Sequence, residues 1–216
     1  VDRLDFLRAS IKTHKKALQE AETLYQGLLQ KLRDEELFVF DKKARLQDVL
    51  KLRMGEILIA KNLTGEGIPV FSADTGTKPW NYTSNSKNSF ERGTIIISAR
   101  GSIGYPRLPD FDKYISTQTT IAIQPNPKKH LPEFLHVWLQ TIDYEILTST
   151  QAVPMLTVAD MNDVFVPIID LKTQKKIANL FASLTKIKQN HQQCIETLQE
   201  IFEACRLDLL YGKLRL

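Results

Sequence analysis

Apolar positions recur at alternating steps of three and four along the first 32 residues: Leu4, Leu7, Ile11, His14, Leu18, Ala21, Tyr25, Leu28 and Leu32. Near the other end Ile177, Leu180, Leu184, Ile187, His191, Cys194, Leu198, Ile201 and Cys205 follow the same rule. That spacing is the heptad seam of a coiled coil, in which every marked residue falls on one stripe of a helix. The two ladders superpose at an offset of 180 residues, and each closes on a related phrase, "GLLQKL" and "LDLLYGKL". Neither helix can bury its stripe alone, so each is expected to pack on the other, parallel or antiparallel according to how the intervening chain returns. His14 and His191 read as polar markers of register rather than metal ligands, since no Cys or Asp constellation accompanies them.

Between the ladders the texture changes. Short apolar runs (LFVF from 37, IPVF from 68, TIIIS from 94, TIAIQ from 120, VFVPII from 164) alternate with Gly, Asn, Pro and Ser clusters, the pattern of strands joined by substantial loops. One helix interrupts them, opened by Pro132 and carrying Leu135, Trp138, Leu139, Ile142 and Ile146 on one face. A Thr157-x-x-Asp160 capping box then predicts a short helical turn. The expected fold class is α+β. One mixed α/β module over residues 37–170 is flanked by coiled-coil helices over 1–36 and 171–216.

Composition changes this picture little: 216 residues, 43% hydrophobic and 25% charged, suit a soluble globular chain. No apolar stretch approaches the roughly 20 residues that span a bilayer, and the first residues lack a signal-peptide layout, so a cytoplasmic address and no membrane are expected. Cys194 and Cys205 are about 16 Å apart along one helix, too far to bridge. Charge is more telling. The net value is only +4, but residues 42–107 carry eleven Lys or Arg against five acids, and residues 108–170 carry three against eight. A basic half suits a polyanion such as DNA.

Catalytic chemistry is hard to find. "ARGSIGYP" has neither the lysine nor the hydroxyl of a phosphate-binding loop at the place that motif requires, after its second glycine, and Asn126-Pro127-Lys128 lacks the second proline and aromatic of an amino-methyltransferase site. Asp110 and Asp112 read as a solvated turn, and no zinc spacing occurs. No catalytic residue, metal or cofactor is therefore expected.

Several phrases, taken in order, resemble the specificity subunits of type I restriction-modification systems across essentially the whole chain. They are "LQDVLKLRMG", "GIPVFSADTGTKPW", "FERGTIIISARGSIGYP", "YISTQTTIAIQP", "AVPMLTVADMNDVFVPIIDLKTQKKIANLF" and the closing "DLLYGKLRL". Full-length members carry two recognition domains, whereas this chain has one with a helix on each side. The expectation is half of a split subunit or the C-terminal half of a longer one, with "GKLRL" favouring a natural C-terminus.

The resemblance implies a non-catalytic reader of double-stranded DNA that directs methyltransferase subunits, and through them the restriction subunit, to a bipartite site. Candidate DNA-binding residues are Lys61, Ser72, Asp74, Lys78, Trp80, Asn81, Tyr82, Arg100, Ser102, Thr117, Gln118, Thr119 and Gln151. Arg100 suits guanine edges or phosphate, and equally a local carbonyl clamp; Trp80 suits loop core as well as a wedge against bases. About 32 residues of helix span roughly 48 Å, close to 14 base pairs, so the rod would hold two readers apart, the second supplied by a homodimer. The alternative is a coiled-coil scaffold whose central module binds protein; steep salt dependence of duplex binding separates the two.

Overall fold

The computed structural model describes residues 2–84, 88–148 and 154–210. In chain order the elements are α1 (Asp2–Arg33), β1 (Lys43–Arg45), α2 (Leu46–Val49), β2 (Lys51–Met54), β3 (Ile68–Phe71), β4 (Asn81–Thr83), β5 (Phe90–Glu91), β6 (Ile95–Ser98), β7 (Pro106–Arg107), β8 (Lys113–Ser116), β9 (Thr120–Gln124), α3 (Pro132–Leu139), α4 (Tyr144–Leu147), α5 (Val158–Asn162), β10 (Phe165–Pro167) and α6 (Leu171–Leu210). The fold is α+β. Its contacts divide into two units, Val1–Gln30 with Asn179–Leu216, and Lys31–Ala178.

In the first unit the helices run antiparallel. Tyr25 meets Phe181 edge-on at 5.1 Å, His14 meets His191 with Nδ1 atoms 2.9 Å apart, and Arg8 lies 5.3 Å from the Phe202 ring centre. Partners thus ascend on α1 as they descend on α6. One imidazole donates and the other must accept, which pins the register at a single level. Lys188 pairs with Glu22 and lays its ammonium 4.5 Å from the Tyr25 ring centre. A hydrogen bond from Gln26 and the Lys188 contact hold the Glu22 carboxyl below the usual carboxylate range.

The α1 ladder faces inward as its spacing predicts; Leu7, Ala21, Tyr25 and Leu32 are buried and the rest half-buried. The α6 ladder is correct at every second step only. Leu180, Ile187, Cys194 and Ile201 are exposed, while their C-terminal neighbours Phe181, Lys188, Ile195 and Phe202 turn inward. A helix advances 100° per residue, so adjacent apolar residues compete for one seam. Phe181, Ile195 and Phe202 win with larger side chains, and Lys188 wins by stacking on Tyr25.

The second unit holds two four-stranded sheets, β2-β9-β6-β7 and β4-β3-β8-β5, and the small antiparallel pair β1-β10. All strand pairs are antiparallel except β3 with β8, which aligns Val70 with Ile115. The four-stranded sheets share a core: Ile96 and Ala122 from one pack with Phe71, Phe90 and Tyr114 from the other. The Tyr114 hydroxyl is not wasted there; it donates to the Thr94 carbonyl.

Two predicted elements differ. "LFVF" is not a strand; Phe40 is buried edge-on against Trp138 at 5.5 Å while Val39 stays 79% exposed. The helix from Pro132 ends at Leu139, because Asp143 caps a fresh turn by accepting from the Glu145 amide, which leaves Ile146 outside. The Thr157 capping box forms as predicted. Gln174, fully buried at the start of α6, accepts from the Leu131 amide and donates to the Lys129 and Ile169 carbonyls.

Candidate nucleic-acid interface

Four connections leave the strands of the second unit and meet at one end. The first is the 55–59 segment after β2. Gly55 lies so close to the turn between β8 and β9 that a Cβ would stand 2.1 Å from the Thr117 carbonyl oxygen. With no side chain there, the Gly55 amide donates to Thr120 (3.0 Å), Glu56 to Ser116 (2.7 Å), and Gln118 back to Glu56 (2.9 Å).

The second connection, 72–80, joins β3 to β4 and closes when the Trp80 amide donates to Val70. The Asp74 carboxylate takes the Gly76 amide at 2.8 Å, an Asx turn. The third, 99–105, is the glycine-rich loop after β6. Gly101 (φ +66°) and Gly104 (φ +78°) occupy backbone space that other residues rarely enter, and a Cβ at Gly104 would stand 2.2 Å from Tyr144 Cγ.

The β8–β9 turn ties the others together. Thr117 and Thr119 share a 2.7 Å hydroxyl contact, both reach Ser72 Oγ at 3.3 Å, and Thr119 Oγ1 accepts from the Ala73 amide. The Thr119 carbonyl accepts from Ala99. So the predicted residues Ser72, Thr117 and Thr119 do come together, but they bond to one another, and Thr117 is only 5% exposed. Asp74 is likewise engaged, through Arg107 at 2.9 Å.

Exposed side chains remain on this frame: Lys78 and Trp80 on the second connection, Arg100 and Ser102 on the third, and Gln118 at the turn. Among the described residues Lys78 and Arg100 make no ion pair. The Arg100 guanidinium rests on the Met155 sulfur at 3.2 and 3.3 Å, a soft contact that leaves its charge uncompensated. Trp80 is 52% exposed, as are Tyr105 at 44% and Ile57 at 76% beside Gln118.

Lys61, Asn81 and Tyr82 form a second group. Lys61 is exposed on a short 3-10 turn, Ala60–Asn62, held to β4 by the Thr83 hydroxyl on the Asn62 carbonyl; Asn81 and Tyr82 on β4 are half-buried. Gln151 lies outside the described residues.

Sequence reasoning missed Arg107, counted there only as charge. Its side chain is 7% exposed, and burial pulls the guanidinium below its ordinary range while Asp74 pushes it back up. The available signal was an arginine inside an otherwise apolar "GYPRLP" stretch. Among the described residues no three His, Cys, Asp or Glu side chains are placed to hold a metal ion, and no helix is long and apolar enough to cross a membrane.

Comparison with known proteins adds a family. The family model described as the type I restriction modification DNA specificity domain matches residues 41–200. Comparison with curated proteins gave no match. Among solved structures, the type I restriction-modification S subunit from M. genitalium is similar with a TM-score of 0.72 at 17% identity, covering 94% of this chain and 57% of that one. The HsdS subunit from Thermoanaerobacter tengcongensis is similar at 0.66 and 20% identity, covering 99% and 56%. A chain from a study of complex assembly and conformational transition of the type I R-M system is similar at 0.70 and 19%, covering 94% and 55%. The chain therefore spans somewhat over half the length of these solved chains.

Proposed function

Because the chain belongs to the type I restriction-modification DNA specificity family, we propose that its four-loop end reads duplex DNA without performing chemistry. In this reading it directs methyltransferase subunits, and through them a restriction subunit, to a bipartite site. The observation that carries the reading is the placing of uncompensated cations, Lys78 and Arg100, beside hydrogen-bonding side chains, Ser102 and Gln118, on loops braced by strands. Cations grip phosphate irrespective of sequence, and amide and hydroxyl groups discriminate base edges.

The helical pair supports the rest of the reading. Its outer stripe of Leu180, Ile187, Cys194 and Ile201, repeating every seven residues, is exposed on α6 and suits a second copy that would bring a second reader. A strict monomer at tens of micromolar in sedimentation would remove that homodimer.

Selection of bound duplexes from a random pool, with and without methyltransferase subunits, tests the central claim. Expected is a consensus recovered with the subunits present, and affinity that falls steeply with salt. Replacing Lys78 or Arg100 by Ala should reduce the slope of log K against log salt by about one each if the residue grips phosphate. Salt-insensitive binding, or turnover of DNA by the purified chain with Mg²⁺ or a methyl donor, would overturn the reading.

A further inference from the structure

Arg107 sits on β7, paired across to Ile96 of β6, with its side chain directed away from solvent. The donors that are bonded, Nη1 and Nη2, go to one stretch of chain. Nη1 donates to Asp74 Oδ1 at 2.9 Å and to the Gly76 carbonyl at 3.4 Å, and Nη2 donates to the Ser72 carbonyl. The guanidinium carbon lies 5.6 Å from the Phe71 ring centre, on the residue that leads into that stretch. Nε and Asp74 Oδ2 are buried with no partner, so neither group has been drawn away by a competing bond. Apart from the Arg107 contacts, the 72–76 backbone is held by the Asx turn, by the amide of Asp74 on the Ser72 carbonyl and by the Ala73 amide on Thr119 Oγ1.

We propose that Arg107 is a positioning residue for sequence discrimination: it never reaches DNA, but its three contacts set the shape of the 72–76 turn and thereby the placement of Lys78 and Trp80. This rests on the DNA-reading function above. A rigid fork suits the task, since one planar group satisfies two carbonyls and a carboxylate at fixed angles, which an ammonium does not. Base discrimination depends on angular precision, whereas phosphate attraction tolerates displacement. Loosening the turn should therefore erode specificity while sparing charge-driven binding.

The test uses the full chain with its methyltransferase subunits and the duplex recovered by selection. Arg107→Met, Arg107→Lys and Asp74→Asn are compared with wild type for affinity on that duplex and on single-base variants, and for salt slope. In Arg107→Met the ratio between selected and altered duplex should fall about tenfold or more, the scale of one lost base contact, with the salt slope unchanged. Arg107→Lys should recover part of the ratio. Asp74→Asn, half-exposed and able to keep the Gly76 bond, should lose less than Arg107→Met. A folded Arg107→Met that discriminates as wild type does overturns the proposal. Should that variant not fold, intact discrimination in both Arg107→Lys and Asp74→Asn overturns it. Failure of the wild-type complex to prefer any duplex is a different result, which removes the DNA-reading function itself.

Discussion

Replacing Gly55 by Ala should do more harm than its small size suggests. The φ of Gly55 lies outside the left-handed region, so the backbone tolerates alanine; the space does not. A Cβ would stand 2.1 Å from the Thr117 carbonyl oxygen, 2.4 Å from that of Ser116 and 2.6 Å from the Ser116 carbonyl carbon, all main-chain atoms that no side-chain rotation can move. The 55–57 segment must then lift from the β8–β9 turn, which breaks or stretches the three backbone bonds among Gly55, Glu56, Ser116, Gln118 and Thr120. Each is worth about 1 kcal/mol net, and forcing the overlap adds roughly 1–3 kcal/mol. The sum is a loss of about 4–6 kcal/mol. Gly65→Ala is the control: φ is +74° with open space around it, so only left-handed strain of roughly 1–2 kcal/mol applies. Urea unfolding followed by tryptophan fluorescence is a clean assay, because Trp80 and Trp138 both lie in the Lys31–Ala178 unit. A Gly55→Ala variant no less stable than Gly65→Ala would refute the reasoning.

Two further predictions concern other parts of the chain. Phe181→Ala, which removes a side chain 1% exposed against Tyr25, should destabilise the helical pair by about 3–5 kcal/mol, whereas Leu180→Ala, at a concentration low enough to keep the chain monomeric, should cost under about 1 kcal/mol; thermal melting by circular dichroism under that condition decides, and equal losses would restore the seam drawn from spacing alone. Burial lowers the affinity of His136 and of His130 for a proton, with the Pro106 carbonyl and Glu133 opposing it at His136. The unfolded chain therefore binds protons first, and stability declines as pH falls below about 6.5 until the folded rings are themselves protonated. Urea midpoints at pH 7.5 and 5.5 should differ less in His136→Gln than in wild type; an unchanged difference would count against burial as the cause.

Legibility in the sequence followed the range of the interaction. The α1 ladder reads correctly because Leu7 and Tyr25 turn inward past exposed Phe6 and Leu24, although Leu29 is buried beside the half-buried Leu28. On α6 the pairs Leu180-Phe181, Cys194-Ile195 and Ile201-Phe202 present two adjacent candidates, and only the partner helix decides between them. The strands β3, β6, β9 and β10 are plain as apolar runs. The "LFVF" run is not, since Phe40 buries against a residue far along the chain, Trp138. At the four-loop end, glycines and hydroxyls mark the loops locally. Arg107 finds its acceptors 31 to 35 residues earlier in the chain, and no local pattern reports such a bond.

If the four-loop end reads DNA as proposed, the hydroxyl bridge between Ser72 and the Thr117–Thr119 turn bears on how a new specificity could be installed. Grafting residues 72–80 alone from a relative would present the host's Thr119 and Arg107 with a foreign turn to bond, and the transplanted turn would settle into neither parent's shape. The smallest transferable cassette is discontinuous: the turn, its buried arginine and the threonine corner must travel together.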